Sequence, residues 1–177
     1  MSQASNHLKW CLEKAKKEIK ECKKLGKREK HRGLIETEPD MKDAQKHIEK
    51  AVHDLKAINY LLKGDFSDIS ASMVFYSMYH CFLAIAAKFG YESRNQTCTI
   101  SLMEFLREQG KIDLDSKYID MFRYAEQGQK KSVIDMREDL TYGVDLSADD
   151  KKKIIELVED CKNLIDAAKE IIYNDTE

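Results

Sequence analysis

Proline, glycine and aromatic side chains are scarce in this 177-residue chain, which holds one proline, seven glycines and 8% aromatic residues. Those shortages exclude a collagenous, low-complexity or turn-rich β protein, and they leave an all-helical domain as the reading of a composition 42% hydrophobic and 35% charged. The five cysteines, Cys11, Cys22, Cys81, Cys98 and Cys161, are odd in number and include no CxxC pair. Neither a disulfide framework nor a zinc knuckle is indicated, so reduced structural thiols in a cytoplasmic protein are expected. No apolar run opens the chain, because Leu8, Trp10 and Leu12 are interspersed with lysines, and no signal peptide is expected. A Gly-rich phosphate loop, HExxH and GxSxG are also missing, and His47 and His53 do not share the helical face that a metal pair needs. The expectation is therefore no metal and no cofactor.

Charge of one sign is lacking overall, since 30 Lys plus Arg stand against 32 Asp plus Glu. It is present locally. Residues 1–32 carry 11 basic and 4 acidic side chains, so a basic segment precedes an acidic body. The longest stretch without a formal charge, residues 69–87, approaches the length of a membrane-spanning helix. Its Ser70, Ser72, Tyr76, Ser77, Tyr79 and His80 would all need partners in lipid, so a helix surrounded by other helices is expected and no membrane association.

What is present is helical periodicity. Leu8, Leu12, Ala15, Ile19 and Cys22 mark an amphipathic helix from about Ser5 to Leu25, stopped by Gly26 and backed by a lysine face. Residues 27–39 are charged, contain Gly33 and end in Pro39, which reads as a linker, giving units of 1–39 and 40–177. A second helix follows through Met41, Ala44, Ile48, Ala51, Leu55, Ile58 and Leu62 to Gly64. Asp65 or Ser67 is expected to cap a third, apolar nearly all round and ending near Phe89 and Gly90; it is the expected centre of the bundle. Ser70, Ser77 and Ala84, seven apart, put small side chains where a neighbouring backbone can come close. A shorter helix runs from Ile100 to Gly110. Another, capped by Asp113 or Asp115, continues through Phe122 and Ala125, bends at Gly128 and stops at Gly143. The last begins at Ser147, spaced from Asp150 as in a capping box, and runs through Ile172. No repeat and no strand pattern stands out. The expected fold is an up-and-down antiparallel bundle of four to five helices plus the N-terminal helix.

Three groups of residues have chemistry to offer. Tyr76, Tyr79 and His80 lie at i, i+3 and i+4 of the central helix and are expected on one side of it, either as bonded core residues or as the lining of a ligand or RNA cleft. His80 is the side chain suited to proton transfer near neutrality. Arg137 and Tyr142, with Glu138 between them, close a helix; Arg137 suits bidentate phosphate contact and Tyr142 base stacking, while the plainer reading pairs the arginine with neighbouring acids. Arg94 and Asn95 occupy a polar loop that is either solvated or in contact with phosphate or base.

The segment AINYLLKGDFSDISASMVFYSMYHCFLAIAAKFGYESRNQ resembles the signature of HEPN domains, a helix ending in a Gly-acid-aromatic turn followed by an "A..YY.M.H....L" helix. The RxxxxY of Arg137 to Tyr142 resembles the "R..ADY" element of small prokaryotic members, and the match covers residues 41–173. LKWCLEKAKK and KFGYESRNQ.C are similar to an archaeal subgroup with an extra N-terminal helix. The resemblance implies a helical bundle that forms a homodimer, with the arginine-bearing helix ends of both protomers across one cleft. It further implies a metal-independent endoribonuclease, often a toxin paired with a nucleotidyltransferase of the MNT type, whose motif is R-x(4–6)-H. Here Tyr142 stands where that histidine would be, and no histidine follows through Asp150. Binding of RNA or a nucleotide by Arg137, Tyr142 and His80, with Tyr76, Tyr79, Arg94, Asn95 and Glu138 around them, is thus the expectation. The alternatives are cleavage, with His80 or Tyr142 in proton transfer, and a non-catalytic protein-interaction module. Tyr142 is also a candidate acceptor of a nucleotide from an MNT partner.

Overall fold

The computed structural model describes residues 2–123, 132–143 and 148–174. In chain order the elements are α1 (Gln3–Lys24), β1 (Leu34–Glu36), α2 (Met41–Lys63), α3 (Ser67–Lys88), β2 (Tyr91–Ser93), α4 (Gln96–Glu108), α5 (Ser116–Asp120), α6 (Val133–Tyr142) and α7 (Ala148–Tyr173). The fold is all-α, as the composition and periodicity predict, with one small two-stranded sheet among the described residues.

Four helices make the bundle. Across α2 and α3, His47 meets His80 and the Ala51 carbonyl meets Ser77, so the two helices are antiparallel, as a short connection requires. Across α3 and α6, Phe75 meets Arg137 and Ser72 meets Thr141, again antiparallel. Across α3 and α7, Ser77 meets Cys161 and Lys88 meets Ile172, which makes this pair parallel and the order α2, α3, α6, α7 up-down-up-down. At the end of α7, Lys88 Nζ donates to the carbonyls of Ile171 (2.5 Å), Ile172 (3.1 Å) and Asn174 (3.1 Å). A cation there satisfies carbonyls that lack helical partners and opposes the negative end of the helix dipole.

Helix α3 is the core, as its lack of a polar face predicts. Ser70, Ser77 and Ala84 are fully buried, together with Val74, Met78, Phe82 and Ile85. Burying side chains the size of Met78 and Phe82 stabilises the fold by about 1.5–3 kcal/mol each. By length and composition α3 is apolar enough to cross a membrane, and 61% of its apolar window is buried inside this fold.

Several local expectations need correction. Ser67 does not cap α3: Phe66 stands at the N-cap without a side-chain bond, and Asp65 is the turn residue, at φ 66°. The Phe66 amide instead closes the end of α2 on the Leu61 carbonyl, so the tight turn dictates the conformation. The single bent helix expected before Gly143 is two helices, α5 capped by Asp115 and α6 capped by Ser132, whose hydroxyl and Asp135 carboxylate form a capping box. Ala125, Gly128 and Ser147 lie outside the described residues.

Residues 27–39, expected to be a linker, contain β1, which pairs antiparallel with β2 with Ile35 opposite Glu92. Three-residue strands are too short for period-two alternation to register in a sequence. Two glycines permit this packing. A Cβ on Gly33 would stand 2.6 Å from the Cys11 carbonyl, and one on Gly90, at φ +75°, would stand 2.6 Å from that of Thr37.

The largest correction concerns the cysteines. Cys11 and Cys98 are joined by a disulfide that links α1 to α4, with their Cα atoms 5.8 Å apart, while Cys22, Cys81 and Cys161 are free. Spacing in sequence says nothing about such a pair, because the partners are 87 residues apart and only the packing of α1 on α4 brings them together. The helices run antiparallel, with His7 on Ser101 and Ser2 on Glu108. Cys98→Ser is expected to lower stability by about 4–5 kcal/mol, in line with the long loop it opens. Urea denaturation should show the variant's midpoint below that of the oxidised protein, and dithiothreitol should bring the unsubstituted chain down towards it. Equal midpoints with and without reductant would mean that the bond contributes nothing.

Candidate functional site

An aromatic bed lies where α3, α6 and the end of α5 meet. Phe75 packs its ring 5.3 Å from Phe122 and 6.0 Å from Tyr79, and Phe82 stands 4.9 Å from Phe122. Phe75, Tyr79 and Phe82 are spaced at about one and two turns of α3, which aims all three at Phe122. On this bed rests Arg137, its guanidinium carbon 4.5 Å from the centre of the Phe75 ring. A partly desolvated cation–π contact of this kind is worth about 1–2 kcal/mol and fixes the plane of the guanidinium. Glu138 accepts from Arg137 Nη2 at 3.3 Å, so the acid next in sequence is part of the arginine's surroundings, as the plainer reading anticipated.

Around Arg137 the surface is polar close by and aromatic further out. Ser72 Oγ and Thr141 Oγ1, 2.8 Å apart, close α3 against α6 one turn beyond the arginine. Tyr76 is 48% exposed, edge-on to Phe75, and Tyr142 is 83% exposed at the end of α6. Neither phenol has a hydrogen-bond partner among the described residues. A planar cation held on an aromatic floor, with a solvent-facing tyrosine against the same ring, can take a phosphate at the cation and a base against a ring.

Tyr76, Tyr79 and His80 do not share one side of α3, contrary to expectation. Tyr79 turns to α4, where its hydroxyl meets Thr99 Oγ1 at 2.9 Å, and burial raises its pKa against the opposing pull of that bond. His80 turns to α2. The roughly 100° that separates successive helical residues carries the chain from one neighbouring helix to the next. Asn95 is the N-cap of α4, its side chain accepting from the Cys98 amide, and Arg94 Nε donates to Glu92 at 2.7 Å. Arg94 lies on a different cavity, of about 580 Å³, which it shares with Asp43, His47 and Glu92. The structure therefore brings Arg137, Glu138 and Tyr76 together around Phe75, with the Tyr79 ring stacked on it, places Tyr142 exposed at the end of α6, and leaves His80, Arg94 and Asn95 elsewhere. Phe75 and Ser72 were missed by sequence reasoning, because a Phe and a Ser in an apolar helix read as core.

His80 and His47 face each other with Nδ1 atoms 2.9 Å apart and rings tilted by 31°. One of the two must be neutral for the other to donate. Burial lowers the pKa of both; the neighbouring His47 pushes His80 further down, while Asp43 partly opposes the shift at His47. Among the described residues no three His, Cys, Asp or Glu side chains are grouped to hold a metal ion.

The HEPN domain family model matches residues 44–172. No curated protein matches the chain.

The histidine pair carries a pH dependence with a definite sign. Because the folded-state pKa values lie below those of the unfolded chain, the unfolded state takes up protons first. Stability is full above about pH 6.5 and declines as pH falls from there through the lowered folded values. Thermal midpoints measured between neutral and mildly acidic pH should fall, and His80→Gln should flatten that slope. An unchanged slope in the variant would show that the pair is not responsible.

Proposed function

The chain belongs to the HEPN domain family, and we propose that it binds RNA or a nucleotide at the Arg137 corner as a homodimer, without cleaving it. The family makes it a nucleotide- or RNA-related module. The observation that supports the finer reading is the guanidinium carbon of Arg137 4.5 Å from the centre of the Phe75 ring, with the exposed Tyr76 packed edge-on to the same ring. An arginine held on a ring suits phosphate, and an exposed phenol against that ring suits a base.

Binding is favoured over cleavage by the placement of the proton-transfer candidates. His80 is engaged with His47 against α2, and Tyr142 is solvent-exposed at the end of α6, without a hydrogen-bond partner among the described residues to take its proton. Phe66, Ile69 and Tyr76, at the start of and along α3, and Tyr142 at the end of α6 are exposed, and this exposed apolar area supports a second copy as its cover. In that arrangement two Arg137 side chains would face one ligand.

In EDTA, purified protein should retard single-stranded RNA in a gel without cutting it, and light scattering on the same sample should give twice the chain mass. Arg137→Ala should weaken retardation about 10-fold, the scale of a hydrogen bond to a charged group. RNA cut by the unsubstituted protein and spared by Arg137→Ala would replace this reading with an Arg137-dependent ribonuclease.

A second reading is supported by the exposure of Tyr142. Its hydroxyl, without a hydrogen-bond partner among the described residues, is accessible to an MNT-type nucleotidyltransferase, which would move the nucleoside monophosphate of a nucleoside triphosphate to the phenol oxygen, break the α–β phosphoanhydride to release pyrophosphate and pass the phenol proton to solvent. Mass spectrometry after co-expression with such an enzyme should then find one nucleotide added, absent in Tyr142→Phe. An unmodified mass would remove this reading and leave the first intact.

A further inference from the structure

The amino-terminal half of α1 and the adjoining face of α4 enclose a cavity of about 490 Å³, lined by Gln3, His7, Gln96, Thr97, Arg107 and Arg123, with Phe122 and Ile134 among its apolar walls. That volume is in the range of small-ligand sites, about 300–1,000 Å³. Its acids are already engaged: Glu104 is paired with Arg123, and Glu108 accepts from Ser2. Arg107 is exposed and has no ion-pair partner among the described residues. His7 is held at Nδ1 by Ser101 Oγ at 2.9 Å, which leaves its Nε2 without a protein partner there. One turn along α1 from His7 stands Trp10, 52% exposed, its ring 5.5 Å from the His7 ring and Lys14 Nζ 5.0 Å from its centre. His7, Trp10 and Lys14 thus form one stripe on the helix, running from the cavity out to the lysine face.

The position of this cavity relative to Arg137 gives it a meaning. Ile134, one of its walls, precedes Arg137 by three residues of α6, an axial rise of about 4.5 Å. Phe122, another wall, packs on Phe75, the ring beneath Arg137. The Cys11–Cys98 disulfide joins the residue after Trp10 to the residue after Thr97, so it ties the two sides of the cavity together.

We infer that the α1–α4 cavity is a second nucleotide subsite for single-stranded RNA, in which Trp10 stacks on a base and Arg107 takes a phosphate of the strand leaving the Arg137 corner. The inference rests on the RNA-binding reading of that corner. An exposed aromatic platform next to unpaired cations is the recurring solution for single strands, because every base has a face to stack and every linkage carries a charge. The lysines beside it supply the salt-dependent part of the attraction. An RNA extending over both sites would gain from each without either being strong alone.

Trp10 is the only tryptophan in the chain, so its emission reports on this subsite by itself. The test adds a short single-stranded RNA to the disulfide-intact protein and follows Trp10 emission, while the anisotropy of a fluorescein-labelled copy reports total binding. Emission should be quenched with the same midpoint as the anisotropy change. Arg107→Ala and Trp10→Ala, both at exposed positions, should each raise the anisotropy midpoint about 10-fold, the scale of one stacked base. Unchanged thermal midpoints would show that both variants are folded. Quenching that survives in Arg137→Ala would support this subsite even if the Arg137 reading failed. Anisotropy that rises with Trp10 emission unchanged and Arg107→Ala unaffected would overturn the inference and leave the Arg137 reading standing. No anisotropy change with any single strand would overturn both, and quenching by an acidic polyglutamate peptide in place of RNA would assign the stripe to a protein partner.

Discussion

The Ser77 hydroxyl sits where three helices meet, and the bundle is built around that junction. It donates to the Ala51 carbonyl of α2 at 2.8 Å and accepts from the Cys161 thiol of α7 at 3.2 Å, in the middle of α3 and away from water. A side chain any larger would push α2 or α7 off the central helix. A purely apolar one of the same size would leave the junction without orientation, because dispersion contacts have little directional preference. Burial also raises the pKa of Cys161 to about 11 and lifts that of Cys81 well above the usual thiol range, so both thiols stay protonated and serve as core groups.

With α3 surrounded, its remaining sides determine what else can happen. One meets α2 through the His47–His80 pair, one meets α4 through Tyr79 and Thr99, and the last meets α6 through Phe75 and Ser72. Only the last leaves a charged side chain, Arg137, between buried ring and solvent. Arg137 therefore depends on the same packing that holds the core, since the ring carrying it is itself a core residue packed against Tyr79 and Phe122. Outside the segment that matches the family, α1 adds a basic and aromatic surface. Its covalent tie to α4 holds that surface beside the arginine corner, and this is what turns a lysine-rich helix into a candidate part of an extended RNA path.

Much of this was legible in sequence because it is local. The stripe from Met41 to Leu62 announced α2 and its end at Gly64, and the all-round apolar character of residues 69–87 announced a surrounded helix. Arg137 and Tyr142 stood out by their place before the final helix, and both lie on α6. The failures share a cause. The division of Tyr76, Tyr79 and His80 among different neighbours depends on which helix lies on which side of α3, and the role of Asn95 as a cap depends on where α4 begins. The short strands β1 and β2 draw their stability from each other across more than fifty residues, so neither has a pattern of its own.

By itself the sequence determined the long helices and the identity of the central one, because turn-by-turn hydrogen bonding and the spacing of apolar side chains are properties of neighbours in the chain. It also put Arg137 and Tyr142 in the helix before the last, with no histidine from Tyr142 through Asp150. Tertiary structure alone decided that Cys11 reaches Cys98, that His80 faces His47 rather than Arg137, and that Phe75 becomes the floor of a site. Each of these is a contact between side chains far apart in sequence, fixed only when packed helices choose their partners and the angle at which they meet.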